Sequence, residues 1–69
     1  PTRFTEAQMA FLRGCLSIGA RQIKFTDTKF VLYDETDRAF ADGYKTLPIN
    51  DIPNGVYDLA ELLEKDGAR

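Results

Sequence analysis

The residues able to do chemistry in this chain are few. There is one cysteine, Cys15, there is no histidine, and the 11 acidic residues lean toward the second half. A nucleophilic Cys15 needs a base, and no imidazole exists to serve as one. Cys15 also lies between Phe11 and Leu16 on an apolar helical stripe, which predicts a buried structural thiol. One Cys and no His exclude a Cys/His zinc site and an intramolecular disulfide. Asp34, Glu35, Asp37 and Asp42 are spaced somewhat like a calcium loop. Counted from Asp34, however, the fifth position is Arg38 and the twelfth is Lys45, both wrong for a ligand. A solvated turn is the expectation there. The glycines are scattered and none opens a phosphate-binding loop. No cofactor, no metal and no enzymatic activity are expected.

Charge is divided unevenly. Residues 1–33 carry Arg3, Arg13, Arg21, Lys24 and Lys29 against Glu6 and Asp27, a balance of +3. Residues 34–69 carry nine acids against Arg38, Lys45, Lys65 and Arg69, a balance of −5, and the whole chain is at −2. Such asymmetry suits head-to-tail assembly or docking on a partner. The net charge opposes phosphate binding by the whole surface. A local nucleic-acid contact through Arg13, Arg21, Lys24 and Lys29 is the alternative reading.

These side chains must be positioned by one small domain. At 69 residues the chain allows a single core, and at that size burial and ordering entropy nearly cancel. Tight packing, self-association or a partner must supply the rest. No apolar run is long enough to span a bilayer, so no membrane partner is expected. The free thiol and the lack of an export signal predict a cytoplasmic setting.

Thr5 and Gln8 form a T-x-x-Q capping box that starts a helix. Met9, Leu12 and Leu16 follow on one stripe, with Phe11, Cys15 and Ile18 beside it, and Gly19 stops the helix. Gly14, at the stripe's edge, leaves room for a close neighbour. Arg21–Thr26 alternates, as does Lys29–Tyr33, and a two-residue turn at Asp27–Thr28 places Phe25 opposite Phe30 and Ile23 opposite Leu32. Lys24, Val31 and Tyr33 then lie on the outer face. Asp37 is expected to cap a short turn through Asp42 that ends at Gly43. Tyr44–Ile49 adds a short third strand, an edge because of Pro48. The last helix is expected from Val56 to Asp66, with Val56, Leu59, Ala60, Leu62 and Leu63 inward and Glu61 pairing Lys65. The fold class is α+β: an N-terminal helix, an antiparallel β-hairpin with a short third strand, and a C-terminal helix. Both helices pack on the Ile23/Phe25/Phe30/Leu32 face.

Three families share features with this pattern. The tautomerases use an N-terminal proline as base but open with a strand directly after it, whereas here a helix cap begins by Thr5. Pro1 is therefore read as a processed or trimmed terminus. Helix–three strands–helix is also the order of the double-stranded RNA-binding domain. That family needs a lysine-rich start to its second helix, and this chain has Val56-Tyr57-Asp58-Leu59. Finally, Leu12, Gly19, Ile23, Phe25 and the hairpin after them resemble the phage head–tail joining proteins of the lambda W type over residues 8–34. That resemblance implies a virion connector that assembles in a ring without catalysis. The chain departs from the family after Tyr33, with some twenty residues inserted before the last helix.

The expected function is a non-enzymatic protein–protein interaction module, phage-derived. It would bind a larger protein or assembly, or itself, through Lys24, Val31, Tyr33, Phe40 and Tyr44. Aromatics beside acids suit a protein interface. The competing expectation for Phe40 and Tyr44 is that they fill the core.

Overall fold

The computed structural model describes residues 4–67, with side chains to Glu64. The elements run α1 (Glu6–Ser17), β1 (Gln22–Phe25), β2 (Lys29–Tyr33), β3 (Ala39–Tyr44), β4 (Gly55–Asp58) and α2 (Leu59–Gly67). The four strands form one antiparallel sheet in the order β3-β2-β1-β4, with both helices on one face.

Helix α1 begins at the expected capping box. Gln8 N donates to Thr5 Oγ1 and Thr5 N donates to Gln8 Oε1, both at 3.1 Å. Gln8 has a second task, because its Nε2 donates to Pro48 O and Asp51 Oδ1, both at 2.8 Å. The buried amide thus ties the start of α1 to the loop that follows β3. Ile18 ends the helix and Gly19 follows at φ +105°, a conformation that favours glycine. Gly14 has open space rather than a close neighbour, with nothing within 4 Å of where a Cβ would sit.

The β1–β2 hairpin has the expected register, Ile23 opposite Leu32 and Phe25 opposite Phe30, closed by Thr26 N donating to Lys29 O at 2.9 Å. Its inner face is the core: Ile23, Phe25 and Leu32 are buried with Leu12, Cys15, Ala20 and Leu59. Phe11 of α1 stands edge-on to Phe30 at 5.2 Å, and Leu62 and Leu63 of α2 close the other side.

The second half differs from expectation in two places. Ala39–Tyr44 is the third strand, not a capped turn, and Asp37 sits at φ 66° in the tight turn before it. Small inner residues hide the strand signal: Ala41 faces Leu32, and Gly43 faces Phe30, whose ring lies 2.8 Å from where a Gly43 Cβ would be. The segment expected as a strand, Tyr44–Ile49, is mostly loop. Ile49 and Ile52 both enter the core, and their spacing of three suits turns rather than an alternating strand. Gly55–Asp58 is a fourth strand on the far side of β1, so α2 starts at Leu59 rather than Val56. The helix start is set by Asp58, whose carboxylate accepts from Glu61 N at 3.0 Å. Val56 is consequently outside the core, 59% exposed. The Pro1 reading and the Glu61–Lys65 pair fall outside the described residues and side chains.

Candidate functional site: the open face of the sheet

Helices cover only one face of the sheet. On the other, the registers place Gln22, Lys24, Val31, Tyr33, Asp42, Tyr44 and Val56 together. Lys24 is the centre of a row, flanked by Val31 on β2 and Val56 on β4, with Asp42 beyond Val31. Lys29 and Tyr44 form the next row, with Lys29 Nζ 5.9 Å from the Tyr44 ring centre and 3.6 Å from Asp42 Oδ2. Phe40 joins through a β-bulge: the pairing slips so that Tyr33 faces Ala39, and Phe40 is the extra residue beside Ala41. Alternation lapses at the bulge, but Phe40 lines neither the core nor the groove between α1 and β3, which leaves it on the side of Asp42. Phe40 is 43% exposed and Tyr44 72% exposed, and neither packs on the core.

All five residues expected to bind protein, Lys24, Val31, Tyr33, Phe40 and Tyr44, therefore share this face. Sequence reasoning missed Val56 by assigning it to the last helix. The missing signal was the alternation of Val56, Tyr57 and Asp58: Tyr57 packs inward and donates its hydroxyl to Pro53 O at 2.6 Å.

The basic set does not converge in the same way. Lys24 and Lys29 are on the open face, whereas Arg13 is exposed on α1, across the sheet. Arg21 and Lys29 already face acids, Glu35 at 3.7 Å and Asp42 at 3.6 Å.

At one end of the sheet a polar cleft of about 450 Å³ is lined by Arg21, Gln22, Asp34, Glu35, Asp37 and Asp58. Two of its acids serve the backbone, and Glu35 faces Arg21. Asp34 Oδ1 accepts from the Thr36 hydroxyl (2.6 Å), Thr36 N (2.8 Å) and Arg38 N (3.1 Å), closing the β2–β3 turn. Those bonds, the hydroxyl's first, hold the Asp34 carboxyl below its ordinary value. Asp58 caps α2. Among the described residues no group of three or more His, Cys, Asp or Glu is arranged to hold a metal ion. Cys15 is buried, and burial pushes its thiol up, away from the reactive thiolate. No described helix is long and apolar enough to cross a membrane.

No family model matches this chain, and no match is found among curated proteins or solved structures.

Proposed function

We propose that this chain is a non-enzymatic protein–protein interaction module that binds through the open face of its sheet. One observation carries the reading: Val31, Tyr33, Phe40, Tyr44 and Val56 gather on a face that no helix covers. Phe40, Tyr44 and Val56 are exposed and Val31 and Tyr33 half-buried, and aromatic and β-branched side chains gathered in this way on an uncovered face suit an interface. Lys24, Lys29 and Asp42 intersperse charge among them, which sets orientation more than strength. The resemblance over residues 8–34 supplies a setting, a phage-derived connector of the virion or a binder of a host protein inside the cell.

The test is affinity capture from lysate of the source organism, with and without nuclease, using the native chain beside Tyr33→Ser and Phe40→Ala. A stoichiometric protein partner should survive nuclease and be lost from both variants, while both still melt cooperatively. Recovery of nucleic acid alone, or a partner kept by both variants, overturns the reading.

A further inference from the structure

One side chain ties the β1–β2 turn to the loop between β3 and β4. Asn54 Oδ1 accepts from Lys45 Nζ at 3.0 Å, and Asn54 Nδ2 donates to Asp27 Oδ1 at 2.6 Å. An ammonium only donates and a carboxylate only accepts, so these partners fix which way the amide points. Lys45 Nζ also donates to Thr26 O at 3.1 Å and sits 5.6 Å from the Phe25 ring centre. The clamp thus joins the turn, the residue after β3 and the residue before β4.

That last residue is followed by Gly55, and an asparagine before a glycine is chemically self-reactive. The Gly55 nitrogen loses its proton and attacks Asn54 Cγ. An N–Cγ bond forms, the Cγ–Nδ2 bond breaks, and ammonia leaves carrying the equivalent of that proton. Water then opens the cyclic imide at either carbonyl, giving aspartate or isoaspartate at position 54. Glycine has no Cβ to hinder the attack, and the fold needs it there, because Gly55 sits at φ +149°.

The same fold withholds the reaction. Cγ must swing onto the Gly55 nitrogen, yet both ends of the amide are held elsewhere. The nitrogen is held too. Leu59 N donates to Arg21 O at 2.9 Å, and the β1–β4 register runs in step from there to Phe25 opposite Gly55. Bonded and non-bonded pairs alternate along such a ladder, so Phe25 and Gly55 are a bonded pair. Asn54 itself is exposed, so its protection comes from these bonds and not from burial.

We propose that Asn54 is a site of spontaneous deamidation gated by this clamp. Closed, the corner protects the amide; opened, the amide reacts and the corner no longer closes as before. The aspartate product puts an acceptor where Nδ2 donated, so two carboxylates face each other across the Asp27 contact. The isoaspartate also lengthens the main chain at the entry to β4 and disturbs its register. None of the open-face residues takes part, so the proposal stands independently of the partner-binding reading.

The deciding measurement is peptide mapping by mass spectrometry of the purified chain aged in mildly alkaline buffer, following conversion at Asn54. The folded native chain should convert roughly a hundredfold more slowly than the same chain unfolded in urea, because an amide that reacts only when open follows the open population. Asp27→Ala and Lys45→Met each free one end of the amide and should speed conversion by roughly tenfold while still melting cooperatively. If Lys45→Met loses its cooperative melt, Asp27→Ala decides alone. Asn54→Asp should melt below the native chain, and adding Asp27→Asn should restore the melt, since the donor and acceptor have then only changed places. Equal conversion with and without urea overturns the gate. Native-like conversion in Asp27→Ala overturns the clamp as its cause. An Asn54→Asp chain that melts like the native one overturns the loss of closure.

Discussion

The two faces of this sheet are made from the same strands and much the same residue types, yet they have opposite fates. On β2, Phe30 and Leu32 lie under the helices, while Val31 and Tyr33 alternate with them on the far side. On β1, Ile23 and Phe25 are 0% and 2% exposed, and Lys24 between them stands in water. Hydrophobicity alone does not make a core. The inner face is a core because α1 and α2 bring Leu12, Cys15 and Leu59 to it, and because Gly43 lets the Phe30 ring approach β3 closely. The outer face has no such cover, so its apolar side chains contribute little to folding and remain free for recognition. The inner face should therefore govern stability and the outer face binding.

The strongest way to break that division is at its centre. Phe25 is buried against Tyr57, with ring centres 5.9 Å apart, and packs near Phe30 at 6.5 Å. Phe25→Ala removes this contact and leaves a cavity, a loss of about 3–5 kcal/mol. A domain this small has little more than that to lose. The variant should show no cooperative urea or thermal transition near room temperature. A well-folded Phe25→Ala would mean that the inner face is not the source of stability.

A smaller effect tests the close approach at β3. In Gly43→Ala the new methyl meets the Phe30 ring at 2.8 Å, so the ring or the strand must shift. The cost should be about 1–3 kcal/mol, read as a lower urea midpoint with an unchanged slope.

How far all this was legible in the sequence depends on what each segment presents. The capping box, the hairpin register and most of the α1 stripe (Phe11, Leu12, Cys15 and Leu16) follow from local rules and the structure keeps them, whereas Ile18, expected on the stripe, is the exposed C-cap. Strand β3 was harder to see because its inner positions are Ala41 and Gly43, too small to show a period. Strand β4 was masked by the helix it runs into, since Val56, Leu59, Leu62 and Leu63 have helical spacing even though only the last three lie in the helix. The bulge at Phe40 and the tie from Gln8 to Pro48 and Asp51 depend on partners distant in sequence, and no local pattern announces them. The open face was half legible. Lys24, Val31 and Tyr33 came from the hairpin alternation, while Phe40 and Tyr44 joined them only once β3 was seen to be a strand.

The β2–β3 turn belongs to neither face, and its contribution depends on pH. Asp34 has a folded value below its ordinary 3.8, so the unfolded chain takes up the proton first as acid is added. Its stabilisation is complete above the unfolded value and is lost as pH falls through the folded one. Asp34→Asn should flatten the acid limb of stability against pH and leave behaviour at higher pH free of this dependence. An NMR titration following the amides of Thr36 and Arg38, which donate to Asp34 Oδ1, should report the low midpoint directly. A midpoint at 3.8 would remove the turn's pH dependence, and one above it would reverse its sign.

The smallest expected change in stability is the one that most sharpens the comparison. Tyr33 is half-buried on the open face, opposite Gln22 and Ala39, with no helix above it. Tyr33→Ser removes a ring that covers sheet rather than core, and surface changes of this kind usually fall within about 0.5 kcal/mol. Strand preference and contact with its neighbours on the sheet can add a few tenths more. Its melting curve should nearly overlay that of the native chain, while Phe25→Ala abolishes the transition. Loss of partner capture in a variant that melts normally separates recognition from folding within a single strand pair. A Tyr33→Ser chain that melts as poorly as Phe25→Ala would show that the outer face is part of the fold's support, and the division between the two faces would fall.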